Sequence, residues 1–188
     1  MLKRMLGAAA VLALGAALPA HATTVSFSPD GNWNTFDVSD VLSNDNGLGW
    51  FDFNTGDALE FVINVAAGQT VLLTVVDGGY AGDRFQVFDN SVLLGETSAV
   101  AADGAGTNVD LNFAAALANA SFSRGSFYLG EGLHHLTGLL SQSSLDALNS
   151  TVGGLSAVPV PLPASLLLLF TSGGFMSLFA RRRKTAAV

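Results

Sequence analysis

The middle of the chain alternates apolar and polar residues with the period of a β-strand. Leu59, Phe61, Ile63 and Val65 fall on one face and Glu60 and Asn64 on the other; Val25 and Phe27 alternate with polar neighbours in the same way. Trp50 to Phe53 follows a Gly-Leu-Gly turn signal. Beyond the turn at Ala67-Gly68, Thr70 to Val76 is almost wholly β-branched or Leu, the composition of a strand covered on both faces, and Asp77-Gly78-Gly79 ends it. Arg84 to Phe88 and Val92 to Leu94, joined across Asp89-Asn90 and closed by Gly95, predict a hairpin. Ser126 to Leu129 and His134 to Leu140 predict a second one across Gly130-Glu131-Gly132. Ala99 to Thr107 reads as a surface loop. Asp110 to Asn119 joins an N-cap candidate to good helix formers and predicts one short helix over an end of the sheets. Ser141 to Ala157, rich in Ser and Gly with a weak helical patch around Leu145 to Leu148, predicts a tether. The expected fold class is all-β: an antiparallel, jelly-roll-like β-sandwich over residues 23–140, with one short helix and a 141–157 linker.

Both ends break this pattern. Lys3-Arg4, the fourteen apolar residues Met5 to Leu18 and Pro19-Ala20-His21-Ala22 have the layout of a signal peptide over residues 1–22, with Ala20 and Ala22 as the small residues of the peptidase site. Cleavage after Ala22 leaves Thr23 as the first mature residue. At the other end, Val158-Pro159-Val160-Pro161-Leu162-Pro163-Ala164 leads into Ser165 to Ala180, sixteen residues without a charge, and then Arg181-Arg182-Arg183-Lys184. The prolines keep the approach extended, with Pro163 tolerable in a first helical turn. Sixteen residues make roughly 24 Å of helix against a hydrocarbon core of about 30 Å, which is short for a permanent span. A core helix is rarely polar-free all round and closed by four cations, so a membrane helix with a basic stop is the expectation.

Charge sharpens that picture. The whole chain carries -7, but six of the eight basic residues lie in the two terminal segments. The body keeps Arg84 and Arg124 against all fifteen Asp and Glu, a net of -13. Such a surface repels phosphate backbones, which argues against nucleic acid as a partner. There is no cysteine, hence no disulfide staple and no N-terminal lipoprotein anchor. Basic clusters held on the cytoplasmic side at both ends place the acidic body outside the inner membrane.

The order of proline motif, apolar run and Arg cluster resembles the C-terminal sorting signal of bacterial PEP-CTERM proteins, in the variant whose motif is Val-Pro-Leu-Pro-Ala, matched by Val160, Pro161, Leu162, Pro163 and Ala164. The resemblance implies a sorting signal over residues 158–188: motif 160–164, helix 165–180 and basic stop 181–184. It also implies recognition by an exosortase, which removes the helix and passes the body to the cell surface or exopolysaccharide matrix of a Gram-negative bacterium. Phe170, Phe175 and Phe179 depart from the family's mostly Leu and Gly helix, whereas Gly173-Gly174 is typical. The near match of Leu162 to Leu166 to a sortase signal has Ser for Thr and lacks the Gly, and a GPI signal needs a polar spacer that is absent here. Gly82 to Asn90, Ser121 to Gly125 and Gly132 to Gly138 are similar to segments of small β-sandwich ectodomains in such proteins. That likeness implies the fold and transfers no activity.

Within the body, no acid, base and nucleophile converge. His134 and His135 are adjacent and point to opposite faces of a strand, with one expected exposed and the other packed; they lack the spacing of a zinc pair, and no nucleophile elbow exists. Calcium is the more serious ion. Asp77, Asp83 and Asp89 stand at predicted strand ends, with Asp45-Asn46 and Asp103 in other turns, although Asp52 to Ile63 fails as an EF-hand. Trp33, Trp50, Tyr80 and Tyr128 are the aromatics that a polysaccharide platform would use, and equally the residues a cysteine-free core would bury. The expected function is a non-catalytic exported protein, substrate of signal peptidase and an exosortase. The alternatives are an ectodomain that keeps its membrane helix, or a calcium- or polysaccharide-binding matrix module.

Overall fold

Apolar alternation becomes two facing sheets in the computed structural model, which describes residues 22–44, 47–102, 106–144 and 150–161. The strands in chain order are β1 (Ala22–Ser26), β2 (Asn34–Ser39), β3 (Ala58–Val65), β4 (Val71–Asp77), β5 (Arg84–Asp89), β6 (Val92–Glu96), β7 (Arg124–Leu129), β8 (Gly132–Gln142) and β9 (Ser150–Pro159), and a helix α1 (Phe113–Ala118) precedes β7. One sheet has the order β1-β3-β8-β5-β6 and the other β2-β9-β4-β7. The expected all-β sandwich with one short helix is what forms. The edge strand β1 runs parallel to β3, so the sandwich is not wholly antiparallel.

The inward residues follow the predicted alternation. Leu59, Phe61, Ile63 and Val65 of β3 are all buried, facing Val71, Leu73 and Val75 of β4 across one continuous core. The expectation that β4 is covered on both faces holds at its C-terminal half, where Val76 joins a second cluster with Ala81, Phe113, Ala116 and Phe122. Helix α1 supplies that cover. Its N-cap is Asn112, whose side chain accepts from the amide of Ala115; Asp110, two residues earlier, adopts φ 52° in the preceding turn. The β5–β6 hairpin forms as expected, turning on Asn90 and Ser91 at φ 49° and 65°.

Two expectations are overturned. The segments around Gly130-Glu131-Gly132 are not a hairpin: β7 pairs with β4 and β8 with β3 and β5, so this turn crosses from one sheet to the other. More consequentially, the 141–157 tether does not exist as such. Its first two residues, Ser141 and Gln142, finish β8, and Ser150 to Ala157 open β9, which lies between β2 and β4 and is buried from Gly153 to Ala157. The folded body therefore runs from β1 to Pro159 instead of ending at residue 140, and the Leu145 to Leu148 patch lies outside the described residues.

The glycines of β9 explain the difference. A Cβ on Gly153 would stand 2.2 Å from Cζ of Phe36, and one on Gly154 would stand 2.7 Å from Cγ of Phe113. Gly138 in the opposite sheet is occupied in the same way, 2.2 Å from the ring of Trp50. Phe36 and Trp50 stack with centroids 4.0 Å apart and planes 18° from parallel, and Phe85 meets Phe36 edge-on. These glycines are recesses for rings, not joints. Gly153→Ala is expected to cost about 1–3 kcal/mol through overpacking. Gly130→Ala, whose Cβ meets nothing within 4 Å, is the control. Urea denaturation of the two variants measures the difference, and equal midpoints would sink the recess reading.

Candidate functional site

The carboxylates nominated for calcium do not form one site. Asp83 and Asp89 bracket β5, roughly 20 Å apart along an extended chain. Asp89 instead receives Nδ1 of His134 at 2.7 Å, and Nε2 of the same ring faces the carbonyl of Gly130 at 2.9 Å. His135 turns to the opposite face and meets Glu60 at 2.8 Å. Both rings are half-buried and carboxylate-paired, where one exposed and one packed ring was expected. Each ties its strand to a neighbour. Asp45, Asn46 and Asp103 lie outside the described residues, among which no group of three metal-ligating side chains gathers.

Asp77 and Asp83, by contrast, do come together, and they are buried at 0% and 2% exposure. The Asp77-Gly-Gly turn that closes β4 folds back so that Oδ2 of Asp77 accepts from the amides of Gly82 and Asp83 at 3.0 and 3.1 Å. Asp83 Oδ1 accepts from the amide of Ser144 at 2.6 Å. Its Oδ2 takes the hydroxyls of Ser144 at 3.3 Å and Thr151 at 2.6 Å. This carboxylate thus fastens the end of β8 and the start of β9 to the β4–β5 turn. Aspartate, serine and threonine at 83, 144 and 151 carry no spacing signal, so the sequence points to Asp83 but not to its partners.

Neither cation of the body reaches the pair. Arg84 is bonded to Glu96 at 2.5 Å, and Arg124 donates to the carbonyl of Leu117. Burial, then the neighbouring charge of Asp83, pushes Asp77 up to about 8, and burial likewise raises Asp83. Asp37, which lines the same cleft of about 250 Å³ with Tyr80, Asp83, Asn108, Ser144 and Thr151, is raised to about 6, by burial first and Asp52 second. The cleft is oxygen-rich and acid-lined.

The aromatic platform divides. Trp50 is core, Trp33 leans on Phe113 with centroids 5.6 Å apart, and the exposed Tyr80 and Tyr128 sit at opposite ends of the sandwich. Of the sorting motif, Val160 and Pro161 are described: the Val160 amide donates to the carbonyl of Thr70 at 2.8 Å, and Pro161 is exposed. Leu162, Pro163 and Ala164, the basic stop Arg181, Arg182, Arg183 and Lys184, and the peptidase-site residue Ala20 lie outside the described residues, whereas Ala22 opens β1, paired with Ala58.

No family model matches this chain, and no curated protein does. Among solved structures it is similar to the pre-peptidase C-terminal domain of collagenase from Bacillus anthracis, with a TM-score of 0.39 and 12% identity over 74% of this chain and 97% of that one. It is also similar to PliG, a periplasmic lysozyme inhibitor of g-type lysozyme from Aeromonas hydrophila, with a TM-score of 0.34 and 16% identity over 74% and 97%. At these scores the likeness carries no argument about this chain.

The raised acid at the clamp has a pH signature. A folded pKa near 8 against an unfolded 3.8 means that the folded state holds the proton more firmly, so stability falls as pH rises from about 4 towards 8. Asp77→Asn keeps a carbonyl oxygen for the two amides but cannot ionise. Its urea midpoint is expected to gain steadily on that of the parent between about pH 5 and pH 8. A gap that stays constant across that range would refute the burial of this acid.

Proposed function

We propose that this chain is an exported, non-catalytic β-sandwich of the cell surface or exopolysaccharide matrix, whose identifiable chemistry is to be a substrate. Signal peptidase acts at Ala20-His21-Ala22, and an exosortase acts at Val160 to Ala164. The observation that supports this best is where the folded body stops. Strand β9 ends at Pro159, Val160 makes the last sheet-edge bond, and the proline motif begins at that border. A processing enzyme acting there would work at the margin of the described sheet, within a few residues of the end of β9. The net of -13 suits a body kept soluble outside the cell.

Mass spectrometry of the mature protein from producing cells is expected to find a first residue of Thr23 and no peptide from Ser165 to Ala180. A C-terminal peptide running through Phe175 would favour the alternative, an ectodomain retained on its own helix. The border itself is testable by truncation. A chain ending at Pro161 is expected to melt cooperatively, and one ending at Asn149, which lacks β9, is not.

The acid-lined cleft is the specific observation behind a second reading, a calcium-binding matrix module. Both oxygens of Asp83 are already engaged by Ser144 and Thr151, so thermal melts in calcium and in EDTA are expected to share one midpoint. A rise of several degrees with calcium would promote the second reading over the first.

A further inference from the structure

Strand β9 replaces the expected tether, and that changes where the body stands. Only Pro161 to Ala164 separate Val160, which is bonded to Thr70, from the apolar run that begins at Ser165. The five steps from Val160 to Ser165 reach at most roughly 18 Å. About 6 Å of that lies within the headgroup layer. A tether of the expected seventeen residues would have let the body tumble freely. A link this short holds one end of the sandwich against the lipid.

That end is defined by the sheet registers. The C-terminal end of β9 lies beside the start of β4, at Val71↔Pro159, and through β4 beside the end of β7, at Val71↔Leu129. The β3–β4 turn, Ala66 to Gln69, and the β7–β8 turn, Gly130 and Glu131, share it, joined by the bond from the Gly68 amide to Glu131 at 2.8 Å. Three exposed apolar side chains lie there, while Val41, Leu42, Phe53 and Leu111 are exposed towards the other end. Tyr128 is 71% and Val158 41% exposed on either side of Leu72, and Leu133 is 55% exposed one residue past the turn. An amphipathic Tyr flanked by aliphatics is the composition that favours a headgroup boundary.

Charge separates the two ends in the matching sense. Asp37, Asp52, Asp57, Asp77, Asp83 and Asp110 lie towards the opposite end, near the start of β9 and the turns around it. Towards the exit end, Glu131 is engaged by Gly68, Asp89 by His134 and Glu60 by His135, and Asp30 bonds to Asn32, while Asp40 and Glu96 lie towards the other end. Asp37↔Val152 and Asp77↔Gly153 put these acids roughly 20 Å along β9 from Pro159, more than two Debye lengths at physiological salt. The acidic pole is thus out of range of an anionic bilayer that would otherwise repel it.

We infer that the turn end, Ala66 to Gln69 with Gly130, Tyr128 and Val158, is a membrane-apposed surface that seats the body on the lipid with its acidic pole outward for as long as the tail is attached. The inference rests on the proposed reading of the tail. The parent has no cysteine, so Ala67→Cys at the turn end and Ala101→Cys near the acidic pole each accept a single fluorescent label. The full chain is reconstituted in vesicles of phosphatidylethanolamine and phosphatidylglycerol carrying a nitroxide headgroup quencher. The label at position 67 is expected to be quenched several-fold more than the label at position 101. Inserting about fifteen Gly/Ser residues after Pro161 is expected to abolish the difference. Equal quenching in a chain that floats with the vesicles overturns the apposition and leaves the tail reading intact. A chain that does not float overturns both. Protection at position 67 that appears only when an exosortase is added assigns the surface to that protein and overturns the lipid assignment.

Discussion

Two sheets can close over this core only because the backbone is bare where the largest rings lie. Phe36 and Trp50 stack as a pair between the sheets, one ring pressed on Gly153 and the other on Gly138. Stacked and edge-on aromatic contacts contribute roughly 0.5–1.5 kcal/mol each beyond the area they bury. In a chain without disulfides that contribution matters. The arrangement also fixes register. A slip of β9 by one residue would bring Val152 or Gly154 opposite Phe36 and turn the inward residues of β9 to the other face, taking Gly154 from Phe113, so the two glycines and their two rings together select one pairing.

The same strand carries the costliest polar feature. Thr151 enters the sheet two residues before Gly153 and is held by Asp83, which also holds Ser144 at the far side of residues 145–149. A carboxylate buried to 2% is unfavourable in isolation, and its three donors offset that by satisfying both oxygens. Asp77 lacks equivalent donors on Oδ1, which is buried without a partner, and it is the acid pushed up to about 8. Burial raises both acids: Asp77, with the charge of Asp83 beside it, is pushed up to about 8 and so holds a proton at neutral pH, while the Thr151 and Ser144 donors work against the rise of Asp83.

The strands that fill the core from one face were legible because their pattern is local. Leu59, Phe61, Ile63 and Val65 announce β3 by alternation alone, and Asp89-Asn90 announces its hairpin. What was not legible depends on partners far away in sequence. Glycine at 153 and 154 has the same letter whether the chain there is a loose joint or a strand accommodating Phe36 and Phe113, and only the position of those rings decides. The turn at Gly130 has the same composition whether its strands pair together or part to opposite sheets. The clamp was half visible: Asp83 stood out as a turn carboxylate, but no spacing rule ties it to Ser144 and Thr151, 61 and 68 residues away.

Placing the last strand in the centre of a sheet has a kinetic consequence. Neither β2 nor β4 has its shared neighbour until β9 is present, and Asn34↔Leu155 is a pairing across most of the body. Contacts of such sequence separation form late because the loop must be closed before the pairing offsets its entropy. The four-stranded sheet is therefore split, with β2 alone on one side and β4–β7 on the other, until residues up to Pro159 are available. Among the described residues β9 is the last strand to be supplied, and its closing contacts, Val71↔Pro159 and the bond from the Val160 amide to the Thr70 carbonyl, fix the start of β4 only when the chain that far is available.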